Sequence, residues 1–114
     1  MPYCTNSEVK YALQIVQTEH GDDTEIGQWI EAADANINSF LTAAGASVPL
    51  LVVPTAVKWS SAFGAAAMYR DVRKTGSGEA RANREIASSL LLNYIAATYR
   101  YGVFVKVEDT ERLA

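Results

Sequence analysis

From Asp22 to Gly45 the apolar residues keep to one side of a helix: Ile26, Trp29, Ile30, Ala33, Ile37, Phe40, Leu41 and Ala44. The stretch covers about six turns, roughly 33 Å at the rise of an α-helix. A stripe of that length has to be buried, and 114 residues suffice for a single modest core. The other segments must therefore wrap this one, which is expected to be the central strut. Asp22-Asp23-Thr24-Glu25 fits a capping box with acids at the positive end of the helix dipole, and Gly45 suits the left-handed stop.

Three more helices can be placed around it. Thr5-Asn6-Ser7-Glu8 is a second capping box, followed by Val9, Ala12, Leu13 and Val16 at helical spacing, with Glu19-His20-Gly21 as the expected end. The third helix begins with Pro54 in its first turn, where a missing amide costs nothing. It carries Val57, Phe63, Ala66, Ala67 and Tyr69, and finishes at Arg73-Lys74 before Gly76. Its Gly64-Ala65-Ala66-Ala67 run is small enough for a neighbour to approach closely, so a tight crossing with the second helix is expected. The fourth helix runs from Ser77 or Gly78 to about Arg100, with Ile86-Ala87, Leu90-Leu91, Tyr94-Ile95 and Thr98 as its core stripe. Gly102 breaks it.

Two segments do not fit a helical bundle. The connection GASVPLLVVP is apolar, and Pro49 and Pro54 confine Leu50, Leu51, Val52 and Val53 to a short edge strand or an extended loop. So apolar a loop either folds over the core or is covered by another chain. The second segment follows Gly102. Val103, Val105 and Val107 alternate with Phe104 and Lys106, as in a strand with one face suited to burial. Its one intrachain partner would be residues 50–53, and otherwise it pairs with another molecule by strand addition. The expected fold class is mainly α: a four-helix domain over residues 1–102, with a long central helix and an apolar proline-bracketed loop, and a C-terminal β-strand arm over residues 103–114.

Composition narrows the function classes. Apolar residues make up 49% and charged residues 20%, as in soluble globular chains. No apolar run nears the roughly 20 residues of a membrane helix, and the opening MPYCTNSEVK lacks a signal-peptide pattern. A soluble intracellular protein with no membrane partner is expected. Lys10 is the only base of residues 1–57 against seven acids, a balance of −6, whereas nine bases against six acids leave residues 58–114 at +3. Such asymmetry fits a nucleic-acid face, or two complementary faces of a self-associating subunit, or has no function at all.

Candidate chemistry is sparse. His20 is the only histidine, and its neighbours Glu19, Asp22 and Asp23 read as a solvated turn rather than a metal or catalytic cluster. Cys4, the only cysteine, precedes a helix without a nearby histidine and reads as a packing residue. Thr75-Gly76-Ser77-Gly78 lacks the order of a phosphate loop. No catalytic residue, cofactor or metal is expected, so the chain reads as a non-enzyme. Trp29 and Trp59 read as core or interface anchors. Arg70, Arg73, Lys74, Arg81 and Arg84 form a basic region interleaved with Asp71, Glu79 and Glu85; it reads as a salt-bridged surface, a charged subunit interface, or a set of phosphate contacts.

Taken in order, several phrases resemble the small head–tail connector, or head-completion, proteins of tailed phages and proviruses. They are Tyr3-Cys4-Thr5 leading into Glu8-Val9-Lys10-x-Ala12-Leu13, the acids Asp22-Asp23, and Ile26-x-x-Trp29-Ile30-Glu31-Ala32-Ala33-x-x-x-Ile37. A proline-containing link and an alanine-rich helix ending Ala67-Met68-Tyr69-Arg70-Asp71 complete the pattern, which spans nearly the whole chain. The resemblance implies a structural subunit of a homo-oligomeric ring, commonly a dodecamer. Such a ring lies beneath the portal protein at the head–tail interface of the virion and meets a tail or stopper protein. It passes double-stranded DNA without reading sequence, and its subunits are soluble in the host cytoplasm before assembly. The subunit contacts then expected are Leu50, Leu51, Val52, Val53, Val103, Phe104, Val105 and Val107. The alternative is a small DNA-associated regulatory protein resting on the basic region.

Overall fold

The computed structural model describes residues 2–14, 23–73 and 77–99. The expectations for Val16, His20, Gly21, Asp22, Lys74 and Gly76, and for the strand arm at 103–114, lie outside them. The described residues form four helices: α1 Asn6–Leu13, α2 Asp23–Ala43, α3 Thr55–Arg73 and α4 Ser77–Thr98. Among them no helix is long and apolar enough to cross a membrane.

The caps of α1 and α2 explain where each begins or stops. Thr5 Oγ1 accepts from the Glu8 amide at 3.3 Å, while Glu8 Oε1 accepts from the Thr5 amide at 2.8 Å, the reciprocal capping box expected from the sequence. At the end of α2, the Ala46 amide donates to Leu41 O (2.9 Å) and the Gly45 amide to Thr42 O (3.0 Å). That pair of bonds is a Schellman motif, and it needs the positive φ of Gly45, 95°. Pro54 sits one residue before its expected place, at the N-cap, where its carbonyl accepts from the Lys58 amide.

The end of α1 departs from expectation. The helix stops at Leu13 because Gln14 takes a left-handed conformation, φ 63° and ψ 37°. A non-glycine residue there costs about 1–2 kcal/mol. The stop is held from outside: Arg70 of α3 donates to the exposed carbonyl of Leu13 at 3.1 Å.

The central element is α3, not α2. It packs against each of the other helices and buries Val57, Ser60, Ser61, Ala62, Ala65, Ala66 and Ala67 around most of its circumference. Small side chains make this possible. A Cβ built on Gly64 would lie 3.6 Å from Ala33 Cβ of α2 and 3.9 Å from Ala87 Cβ of α4, so both neighbours close on the same point. The tight crossing with α2 is present, with α4 in addition.

On α2 the buried residues are Ile26, Ile30, Ala33, Ile37 and Leu41, while Phe40 is exposed. On α4 they are Ala80, Asn83, Ala87 and Leu91, so Ala87 and Leu91 of the expected stripe face inward while Ile86 is turned out. Ile86 is exposed because the small face of α4 fits more closely against α3 than a branched one would. Two apolar clusters result. One joins α1, α2 and α3 around Val9, Ile26 and Ala65, with Trp29, Trp59 and Phe63 packed against it. The other joins Tyr3, Ile37, Leu41, Val57 and Leu91 beneath the loop that follows α2.

Candidate interaction surface

The loop between α2 and α3 is anchored and exposed by turns. Ala46, Val48, Leu50 and Val53 pack against the second cluster. Tyr3 fastens it further: its hydroxyl accepts from the Leu50 amide at 2.9 Å and donates to Asn38 Oδ1. Between these anchors Leu51 is 96% exposed and Val52 83%. Fully burying a side chain of this kind is worth about 1.5–3 kcal/mol, and here neither contributes within the subunit. Residues 50–53 form no strand, Leu51 and Val52 being a bend, and the peptide bond between Val48 and Pro49 is cis. They offer no regular edge to residues 103–107, which lie outside the described residues. Of the expected subunit contacts, Leu51 and Val52 are free to meet another surface, while Leu50 and Val53 are half-buried in their own fold.

A groove lies between α2 and α4, because both lean on α3. Its floor is Ser60, Gly64 and Ala67, its walls carry Ala33 and Ile37 on one side and Ala87 and Leu91 on the other, and its volume is about 240 Å³. Arg84 and Asp71, 2.6 Å apart, border one end. At the other, Phe40 is 46% exposed and Leu92 52%. Sequence reasoning missed this feature; its one signal was the run of small residues in α3.

Beneath the N-terminal segment is a buried polar chain. Asp34 accepts from the Ser61 hydroxyl through Oδ1 at 2.6 Å and from the Tyr3 amide through Oδ2 at 3.0 Å. Cys4 Sγ lies 3.1 Å from Ser61 Oγ. With Asp34 ionised, Ser61 spends its one proton on the carboxylate, so the thiol must be the donor to Ser61. Burial pushes the Cys4 thiol up to about 12, far from the range of a reactive thiolate. Burial also raises Asp34, against the lowering effect of its two hydrogen bonds. The chain ties residues 3 and 4 to α2 and α3. Among the described residues no group of three or more histidine, cysteine, aspartate or glutamate side chains could hold a metal ion.

The basic region is largely engaged within the fold. Arg70 donates through Nε to Asn83 Oδ1 (3.1 Å) and through Nη2 to Leu13 O, bridging three helices. Arg73 forms a two-pronged pair with Glu25 and stacks on Tyr69, 3.7 Å from the ring centre. Arg84 pairs with Asp71, and Arg81 is exposed on α4; Lys74 lies outside the described residues. Glu25 and Glu8 belong to the acidic half of the sequence, and they meet Arg73 and Lys58 of the basic half (Lys58 Nζ to Glu8 Oε2, 3.4 Å). Part of the charge asymmetry is thus internal pairing.

Trp59 packs between Tyr11 and Phe63, ring centres 5.7 and 6.1 Å away, and Trp29 donates to Glu25 at 3.0 Å. Both act as anchors of the first cluster. No family model, curated protein or solved structure matches the chain.

Proposed function

We propose that the chain is a structural, non-catalytic head–tail connector subunit that assembles into a ring beneath the portal of a tailed virus and joins capsid to tail. The observation that carries the reading is the loop tip: Leu51 and Val52 are presented to solvent by a loop whose other apolar residues are anchored. Two adjacent exposed aliphatic side chains on an otherwise well-packed small domain fit a contact made in an assembly. The groove lies on a different part of the surface from the tip, and contacts between unlike faces are those that close into rings. The sequence resemblance supplies the ring, the portal and tail or stopper partners, and the non-specific passage of DNA. The DNA-binding regulatory alternative has less support, because Arg70, Arg73 and Arg84 already have partners within the fold.

The test is solution mass by light scattering across concentration, alone and with a portal ring. Oligomers or portal-bound rings are expected for the wild-type chain and are lost in Leu51→Asp/Val52→Asp. A chain that stays monomeric at every concentration and ignores the portal would remove the proposal.

A further inference from the structure

We propose that the pocket between α1 and α4, floored by α3, binds a small monocarboxylate with an apolar body and takes its carboxylate at Arg70 and Asn83. This goes beyond the connector reading and does not rest on it.

The charge of Arg70 calls for an anion. The side chain is half-buried and lines the pocket. Among the described residues it meets only neutral acceptors: Asn83 Oδ1 through Nε and the Leu13 carbonyl through Nη2, each at 3.1 Å. Arg73 and Arg84, by contrast, each face a carboxylate. Removing a guanidinium from water is costly unless a countercharge meets it. Nη1 donates to no described group, so its two N–H bonds remain to be given to one.

Asn83 supplies the second donor. It is 7% exposed, and what it exposes opens on the same pocket. Arg70 Nε can only donate, so the atom it meets must be the carboxamide oxygen, and this fixes the flip of the side chain. The NH₂ group is the end left over, and no described group accepts from it. Buried donors without an acceptor are rare in folded chains. Two adjacent donor groups, one of them charged and both oriented by their mutual bond, match the two oxygens of one carboxylate.

The walls choose the rest of the ligand. Tyr11 is 62% exposed, its ring held against Trp59 at 5.7 Å between centres, and Ile86 is turned out from the core. With Phe63 they set three apolar surfaces around the donors. The volume, about 540 Å³, lies within the roughly 300–1,000 Å³ of small-molecule sites. Glu79 stands one turn before Asn83 on the same side of α4 and also borders the pocket. A single negative charge seated on Arg70 tolerates that carboxylate, whereas a phosphate dianion is repelled by it.

The test is titration of the full-length chain with phenylacetate, followed by heteronuclear NMR on the Asn83 side-chain amide and the backbone amides of Ala82 and Asn83. Saturable shifts are expected, with a dissociation constant of about 1 mM or tighter. Phenylacetamide, which has the same shape without the charge, is expected to bind about tenfold more weakly or worse, and inorganic phosphate likewise. Asn83→Asp keeps an oxygen for Arg70 Nε but replaces the NH₂ group by a charged oxygen. It should fold like wild type and lose about tenfold or more in phenylacetate affinity. Ile86→Ser, on an exposed wall, leaves both donors in place and should weaken phenylacetate about threefold. Equal binding of acid and amide, or unchanged affinity in either variant, overturns the proposal. So does an Asn83 side-chain amide that stays unshifted as phenylacetate is raised to tens of millimolar.

Discussion

Arg73 and Glu25, separated by 48 residues of sequence, meet with two guanidinium nitrogens against two carboxylate oxygens at 2.7 and 2.8 Å. The pair locks the end of α3 to the start of α2, and the Trp29 indole adds a third bond to the same carboxylate. Arg73 first, and Trp29 second, hold the Glu25 carboxyl down to about 2. A carboxyl depressed in the fold stabilises above its unfolded value and loses that contribution as pH falls through the folded one. Thermal melts should therefore show the wild-type chain losing Tm between about pH 4.5 and 2 faster than Glu25→Gln. The two curves should converge near pH 2. Parallel curves over that window would exclude the pair as a stabilising contact.

Asp34 has the opposite sign. Its carboxyl is raised by burial, so its contribution is complete below the unfolded value of 3.8 and declines as pH rises through the folded one. In Asp34→Asn the amide can donate to Ser61, whose hydroxyl then turns toward Cys4. The Tm advantage of wild type over Asp34→Asn is expected to shrink as pH rises from about 3.8. A constant difference across that rise would contradict the assignment. Ser61→Ala, which strips the carboxylate of a charged hydrogen bond, should cost about 1.5–3 kcal/mol in urea unfolding.

Gly64 is where three helices converge, yet the space there admits a methyl group. The nearest carbons to a new Cβ are at 3.6 and 3.9 Å, ordinary contact distances. Gly64→Ala should raise stability by about 1 kcal/mol, the helix propensity difference. Gly64→Leu should lower it by about 1–3 kcal/mol, because two helices would have to part. Denaturant midpoints decide both, and a destabilised alanine variant would show the crossing to be tighter than these distances.

Leu51 and Val52 allow assembly to be separated from folding. Since both face solvent, Leu51→Asp/Val52→Asp should leave the stability of the isolated subunit within about 0.5 kcal/mol. A large loss of Tm in a monomeric sample would mean that the tip supports its own fold.

Local patterns announced much of this architecture. The capping box at Thr5 and Glu8 and the stop at Gly45 each depend on residues only a few positions apart, so the sequence carries them openly. The early stop at Gln14 is different, since it is held by Arg70, 57 residues away from the carbonyl it satisfies. Periodicity suggested Ile86 for the inner face of α4. Packing kept the expected Ala87 and Leu91 but replaced Ile86 by Ala80 and Asn83, because α3 rewards closeness over bulk. For the same reason the longest apolar stripe did not mark the central helix. The groove was the least legible feature, being the space left when two helices press on a third. Leu51 and Val52 were visible as an apolar pair, but only the anchoring of Leu50 and Val53 distinguishes tip from stem.

The arginine clasp on α1 also bears on the order of events in synthesis. Eight residues are too few for a helix to persist alone in water, where about 12–15 are needed. The groups that finish α1, the guanidinium of Arg70 and the small face of α3, are made dozens of residues later. Helix α1 leaves the ribosome before α3 and must therefore wait for it before it holds its shape. Nascent chains halted before Arg70 should exchange the amides of residues 8–14 freely, and chains extended past α3 should protect them.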